Sequence, residues 1–422
     1  MRRIATNILV LSLLITGCGP KNTNKTVFWH AMGGPLGETL LHLVDEYNSN
    51  VSDSLKIMQV NLGNYATLSQ KIMGAVASSR PPTISQVYES WTSELMDAGK
   101  IVPIENYRFM IPDSIINDIF PPLIKDNTWN GKLITFPFNK SVPVYYYNKD
   151  LFREYGIDSF PRTWQEFREV AKKLTIDKDG DGKPDIYGTA YVIDVWMFAT
   201  LLYQKGGRLI EGDSAVFDSK AGVEALKYLY DLVYKDSCAY ITTGYKHQDD
   251  FAAGKVAMVW GTIVSYSFMK DKIDFDLGVA RIPMDGETKD STVIVSGTNV
   301  ALYKNVPDWQ RRNAIEFLKF FLRPENQAYW SVHTGYLPLT KSAFSQPKMK
   351  EFFKKVPGMK EAMEQVAYCD FEPSNPAWFT GRRYLSTEGL EYALRGVLPV
   401  DKALERAAKI INLELKRKRR TH

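Results

Sequence analysis

The chain has 422 residues, 45% hydrophobic and 13% aromatic, enough to bury more than one core. Its net charge is only +5, and much of that excess falls in Lys416-Arg417-Lys418-Arg419-Arg420, which reads as a solvated helix end. A nucleic-acid partner would need basic residues interleaved along a face, and the body of the chain is balanced, so that class is excluded.

The first twenty or so residues read as a targeting segment. Arg2-Arg3 supply the charged start, and residues 8–15 form an apolar core too short to span a bilayer as a permanent helix. That core runs into Leu14-Ile15-Thr16-Gly17-Cys18, apolar, small and Cys in the order of a bacterial lipobox. Residues 1–17 are therefore expected to be a lipoprotein signal peptide, with Cys18 the acylated terminus and 18–25 a polar tether. Several acyl chains together hold a protein on a membrane where one would be marginal. The alternative is an ordinary secretory signal containing a cysteine. Cys238 and Cys369 then remain; an exported compartment permits a disulfide, but they read as incidental buried thiols. The five His are dispersed and no CxxC occurs, which argues against a zinc site.

In chain order, a strand is predicted at 27–29, an amphipathic helix over 36–47, a strand at 55–60, a helix over 65–77 and a strand at 84–88. This alternation indicates a helix-covered, parallel-rich sheet. A second such region begins near 142–147, with helices over 164–174 and 223–234 and a strand at 256–260 behind a helix carrying Phe251. A crossing strand is predicted at 296–303, a helix over 314–322 and a final helix over 402–415. No Pro/Gly/Ser linker divides the chain, so it is expected to cross between two α/β lobes more than once.

Ligands of open α/β sheets bind beyond the carboxyl ends of strands. Polar and aromatic residues recur there, in Trp29-His30-Ala31-Met32, Gly63-Asn64-Tyr65, Tyr88-Glu89-Ser90, Asn139-Lys140-Ser141, Gly261-Thr262 and Ser296-Gly297-Thr298. Such groups can bind hydroxyls and stack on C–H faces. Each alone is equally explained by packing.

Phe28-Trp29-His30-Ala31-Met32-Gly33-Gly34-Pro35, Gln86-Val87-Tyr88-Glu89, Phe136-Pro137-Phe138-Asn139-Lys140-Ser141, Arg323-Pro324-Glu325-Asn326 and Thr334-Gly335-Tyr336-Leu337-Pro338 resemble, in order, the glycerol-3-phosphate-binding branch of the carbohydrate-type substrate-binding proteins of ABC importers. The resemblance spans nearly the whole mature chain. It implies a type II periplasmic-binding-protein-like fold, α/β with two lobes and a hinged cleft. Lobe I would comprise 26–140 plus 295–340, and lobe II 141–294 plus 341–422. It also implies ligand contacts at Tyr65, Glu89, Ser141, Thr262, Gly297 and Tyr336, with Gly297 letting its backbone approach the ligand.

One departure bears on the ligand. The related proteins carry an arginine near the C-terminus, and an ungapped match from Gly381-Arg382-Arg383 places Glu391 there. A carboxylate repels phosphate, so either Arg382 or Arg383 substitutes or the ligand is a neutral sugar or glycoside stacked on Trp29, Trp196, Trp260 and Trp378. Separately, Asp177, Asp179, Asp181 and Asp185 around a glycine turn resemble the start of a calcium loop, although Gly188 replaces the closing glutamate. A plain surface turn is the favoured reading, and no other cofactor is implied.

The expected function is thus a lipid-anchored, monomeric binding protein that delivers a sugar, glycoside or glycerol phosphate to two permease subunits. Two rivals share the leader: a lipoprotein carbohydrate-active enzyme, and a sensory sugar-binding protein feeding a receptor kinase. Glycoside hydrolysis needs two carboxylates flanking one bond, and only Glu89 is placed in a cleft. No G-x-S-x-G, HExxH or Walker motif supports other chemistry.

Overall fold

The computed structural model describes residues 25–286 and 292–419. The leader, Cys18, the tether up to residue 24 and the end of the basic run lie outside the described residues. The strands that organise the fold are β1 (Thr26–His30), β2 (Ile57–Asn61), β3 (Ile84–Val87), β4 (Ile101–Val102), β5 (Phe136–Ser141), β6 (Pro143–Asn148), β7 (Tyr187–Val192), β8 (Ala239–Thr242), β9 (Val256–Thr262), β10 (Leu277–Arg281) and β11 (Ser296–Tyr303). They form two main sheets. The first is six-stranded, ordered β2-β1-β3-β11-β4, with β5 also on β11; the second is five-stranded, ordered β8-β7-β9-β6-β10.

Both sheets are mixed. Parallel pairs β1/β2 and β1/β3 in the first, and β7/β8 and β7/β9 in the second, come from strand–helix–strand units. In the first sheet β11 runs antiparallel to β3, β4 and β5, and in the second β6 runs antiparallel to β9 and β10. These antiparallel strands are where the chain changes sheets. Only Val142 separates β5 of the first sheet from β6 of the second, and β11 returns to the first sheet after β10. The architecture is the expected two-lobe α/β fold.

Local chemistry explains the elements that face the junction. Helix α1 (Gly34–Ser49) buries Leu40, Leu43, Val44 and Tyr47, a helical-period stripe. Helix α2 (Tyr65–Ala77) starts where the Asn64 side chain accepts a hydrogen bond from the Thr67 N–H at 2.9 Å. Helix α3 (Glu89–Asp97) follows β3 directly. Helix α4 (Val195–Gln204) is capped by Asp194, which accepts from the Trp196 N–H at 2.7 Å, and its middle is buried all round. Residues 378–394 are one helical run with a π-turn over Leu385–Leu390, on which the final helix (Val400–Arg419) packs.

Strand parity sorts the aromatic residues between two cores. Val27 and Trp29 point into a cluster with Leu68, Ile72 and Trp91, whereas Phe28 joins the large core on the other face. Cys238 is buried and Cys369 half-buried, both as free thiols that burial pushes up to about 12. Among the described residues no helix is long and apolar enough to cross a membrane.

Candidate functional site

Residues from both sheet regions enclose a cavity of about 190 Å³. Tyr65 begins α2, and Tyr88 and Glu89 open α3; across from them stand Trp196, Glu372, Trp378, Phe379 and Arg382. The Tyr65 and Tyr88 rings meet edge to face at 5.1 Å, and Tyr88 meets Trp91 likewise at 5.1 Å. Phe379 closes one side with its ring 5.3 Å from Trp91. The Tyr65 hydroxyl accepts from Asn139 Nδ2 at 3.0 Å and lies beside the Tyr336 hydroxyl. Tyr336 itself is stacked on Trp330 with the planes 6° apart.

On the far wall, the Arg382 guanidinium lies over the Trp196 ring at 4.2 Å. It is paired with Glu372 at 2.8 Å and faces Asp194 at 3.8 Å. Burial opposes its charge, but Glu372 and Asp194 outweigh that and hold its pKa above the ordinary value. Trp378 Nε1 donates to the other Glu372 oxygen at 3.0 Å, so Glu372 ties Arg382 and Trp378 into one rigid wall.

Beneath Glu89 is a buried charge cluster that sequence reasoning missed. Lys140, on the strand that crosses between sheets, is only 1% exposed. Its ammonium meets Glu89 Oε1 at 2.8 Å and Asp126 Oδ2 at 3.1 Å. Asn299 Nδ2 donates to the same two oxygens at 3.2 and 3.3 Å. Both donors meet Oε1 of Glu89, which fixes the carboxylate and leaves Oε2 outside the pairing. Burial opposes the Lys140 charge, and the two carboxylates outweigh it, so the ammonium's pKa is raised. A lysine inside Phe-Pro-Phe-Asn-Lys-Ser, a strand otherwise built for the interior, is the signal that could have found it.

Burial pushes the Asp126 carboxyl up to about 7; Lys140 pulls it down, and the Glu89 charge pushes it further up. The folded protein therefore keeps a proton there that the unfolded chain loses near 3.8, and stability falls as pH rises from 3.8 to about 7. Asp126→Asn removes that linkage. Denaturation midpoints of variant and parent, compared across this window, should move in the variant's favour as pH rises. Buried His30 and His247, lowered to about 4, give the opposite slope in both proteins and cancel in the difference. Parallel curves would show that Asp126 does not hold the proton.

The sequence-named residues separate into groups. Tyr65, Glu89, Trp196 and Trp378 line the cavity, and Tyr336 adjoins it through Tyr65. Ser141 and Gly297 lie on the crossing strands β5 and β11; the Ser141 hydroxyl is buried with no hydrogen-bond partner among the described residues. At Gly297, φ is +103° and a Cβ would lie 1.8 Å from the Asn139 carbonyl oxygen. Strand packing therefore accounts for the glycine. Thr262 lines a different cavity with Tyr245 and Phe268.

Three expectations are corrected. Trp29 and Trp260 are core residues at 8% and 4% exposure, because strand parity turns them inward, and they offer no stacking face. Arg383 is exposed beside Tyr384, whereas Arg382 one position earlier on the helix faces the cavity. Glu391 pairs with Arg395 at 2.5 Å on the helix surface and is not among the residues that line the cavity. Glu89 also holds Lys140, so truncating it would disturb the fold as well as the cavity, and Glu89→Gln is the cleaner variant.

In the acidic turn, carboxylate oxygens of Asp177, Asp179 and Asp185 lie within 4.8 Å of one another, and Asp181 is not in that group. Asp177 accepts from the Gly180 and Gly182 N–H groups at 2.7 and 2.9 Å, Asp179 from Asp181 at 3.1 Å, Asp181 from Lys183 at 2.8 Å and Asp185 from Lys178 at 2.7 Å. Bonding to the loop's own backbone explains the acidic pattern as turn chemistry.

Residues 42–361 match the family model described as bacterial extracellular solute-binding protein. The sn-glycerol-3-phosphate-binding periplasmic protein UgpB of Yersinia enterocolitica is 30% identical over 376 residues, 86% of this chain and 84% of that protein. Its Escherichia coli K12 counterpart is 28% identical over 368 residues, 85% and 84% of the two chains. Among solved structures, UgpB from Mycobacterium tuberculosis in complex with glycerophosphocholine superposes with a TM-score of 0.81 at 21% identity, covering 93% of this chain and 99% of that one. The cyclic alpha-maltosyl-1,6-maltose binding protein from Arthrobacter globiformis gives 0.78 at 25% identity, covering 93% and 99%.

Proposed function

The chain belongs to the bacterial extracellular solute-binding protein family, and from that premise we propose that it is the lipid-anchored, monomeric receptor of an ABC importer for a neutral carbohydrate. Lobes 26–140 plus 295–340 and 141–294 plus 341–422 close by hinge bending over the ligand, which enters between Tyr65, Tyr88 and Glu89 on one side and Trp196, Trp378 and Arg382 on the other. The closed complex then docks on two permease subunits. Division of the strands between two sheets, joined through single crossing strands, supports a hinge at Val142 and before β11.

One observation carries the choice of a neutral ligand. Each cation at the cavity is already shared by two carboxylates: Arg382 by Glu372 and Asp194, Lys140 by Glu89 and Asp126. Phosphate would have to displace a carboxylate to reach either one, and the remaining acids would repel it. Sugar hydroxyls instead meet carboxylate acceptors and aromatic faces. Calorimetry against a panel of sugars, glycerol 3-phosphate and glycerophosphocholine tests this. At least one neutral sugar should bind in the micromolar range or tighter, about −8 kcal/mol, with the phosphates far weaker. Tight binding of either phosphate with no sugar bound would reverse the assignment.

The family relationship supports neither rival class, since the relatives are named as binding proteins. Export with an acylated Cys18 rests on Leu14-Ile15-Thr16-Gly17-Cys18. Cys18→Ser should leave the protein out of the membrane fraction; membrane retention of that variant would refute the anchor.

A further inference from the structure

The charge cluster beneath Glu89 touches the far wall of the cavity as well as the near one. The Phe371 ring lies over the Lys140 ammonium, with its centroid 5.7 Å away. Phe371 precedes Glu372, the carboxylate that ties Arg382 and Trp378 into the far wall. The residues before it are stitched to the second connection between the sheets. Cys369 and Asp370 pair in parallel with Val293 and Ile294, and the Asp370 carbonyl accepts from the Val295 N–H at 3.0 Å. Strand β11 begins at the next residue, Ser296. The two walls therefore meet at Phe379 on Trp91 and again at Phe371 on Lys140.

The contact at Phe371 governs how dry the cluster is. With the ring in place, the Lys140, Glu89 and Asp126 side chains are 1%, 9% and 6% exposed. Asp126 ends the short helix Pro121–Asp126, and three groups bear on it: Lys140 from β5, Glu89 from α3 and the Cys369 thiol from the far-wall segment. Asp370 bears on Cys369, whereas Tyr368 faces Arg281, Glu361 and Glu364. Cys369, pushed up to about 12, stays neutral below pH 8, so Lys140 and Glu89 set the local charge. One ammonium between two carboxylates leaves an excess negative charge. In a dry setting a proton on Asp126 removes it at least cost. Once hinge bending lifts Phe371 away, water solvates both carboxylates and the proton is no longer needed.

We propose that closure over a sugar seals the Lys140–Glu89–Asp126 cluster beneath Phe371 and takes up a proton from solvent at Asp126, so that Lys140 and Asp126 are positioning residues for Glu89. This rests on the carbohydrate and hinge readings above. The closed form holds the proton more tightly than the open one, where a wetted carboxyl titrates nearer its ordinary 3.8. Affinity is therefore fullest at low pH and is lost as pH rises toward about 7, by at most about tenfold per pH unit.

Calorimetry on the mature protein with the tightest sugar of the panel, at pH 6 in buffers of different ionisation enthalpy, counts the protons exchanged on binding. The parent should take up a large fraction of one proton, and its affinity should fall at least about threefold between pH 5 and pH 8. His30 and His247, lowered to about 4, are already neutral at pH 6. Asp126→Asn should bind without proton uptake and with a flat pH profile. Phe371→Ala keeps the carboxylates but lets water reach them in the closed form, so it should lose most of the uptake, and Phe371→Tyr should retain it. A parent whose affinity ignores pH, or uptake that persists in Asp126→Asn or in full in Phe371→Ala, overturns the proton coupling while sugar binding stands. Failure of every sugar at every pH overturns the carbohydrate reading and the coupling with it.

Discussion

Lys140→Met is expected to lower the stability of the folded protein by roughly 3–5 kcal/mol, the cost of leaving buried charges without their counterion. Lys140 is 1% exposed and its two carboxylates are 9% and 6% exposed, so water cannot replace the ammonium. Methionine fills a similar volume without the charge, which separates electrostatics from packing. The loss should be partly recovered on adding Glu89→Gln and Asp126→Asn, because replacing a whole buried ionic group by neutral groups of like shape is often nearly neutral. Urea denaturation of the single and triple variants measures both effects. A single variant within 1 kcal/mol of the parent would mean that the cluster is wetter and weaker than its geometry shows.

Trp196→Ala should weaken sugar binding by about 30-fold, near 2 kcal/mol, with little change in stability. The indole is half-buried at the start of α4, held by the Asp194 cap, and forms one wall of the cavity. It also supports the Arg382 guanidinium at 4.2 Å, so its removal loosens the wall opposite Tyr88. Calorimetry with the best sugar of the panel, together with a denaturation midpoint, distinguishes lost contact from lost fold. Unchanged affinity would remove Trp196 from the site.

Much of the fold was legible because periodicity and local signals agreed. Helix α2 spans 65–77 as expected, with Asn64 as a visible cap, and β11 spans 296–303 as expected. Strand β7, Tyr-Gly-Thr-Ala-Tyr-Val, was not anticipated, since its glycine and small residues blur the alternation. Helix α4 was missed for a related reason: Val-Trp-Met-Phe-Ala-Thr-Leu-Leu-Tyr-Gln has no polar face, and a helix buried all round shows no period.

The site was legible only in part. Residues at strand ends could be named, but not the side of the sheet on which each falls. Trp29 illustrates the limit, since one step of strand parity separates it from Phe28 and sends it to the other core. Arg382 and Arg383 differ likewise by one step around a helix. Lys140, Asp126, Glu89 and Asn299 come from four separate segments, and Glu372 reaches Arg382 and Trp378 across a loop. No local pattern announces such a convergence, although a lysine in an apolar strand marks one member of it.

The central claim is that the space between the two sheet regions holds a neutral sugar. A crystal structure of the mature protein with the tightest sugar of the panel tests it most directly. The sugar should lie with hydroxyls on Glu89 and rings against Tyr88 and Trp196, and with Lys140 still paired to Glu89 and Asp126. Density for the sugar on an outer surface, with that space filled only by water, would contradict the account.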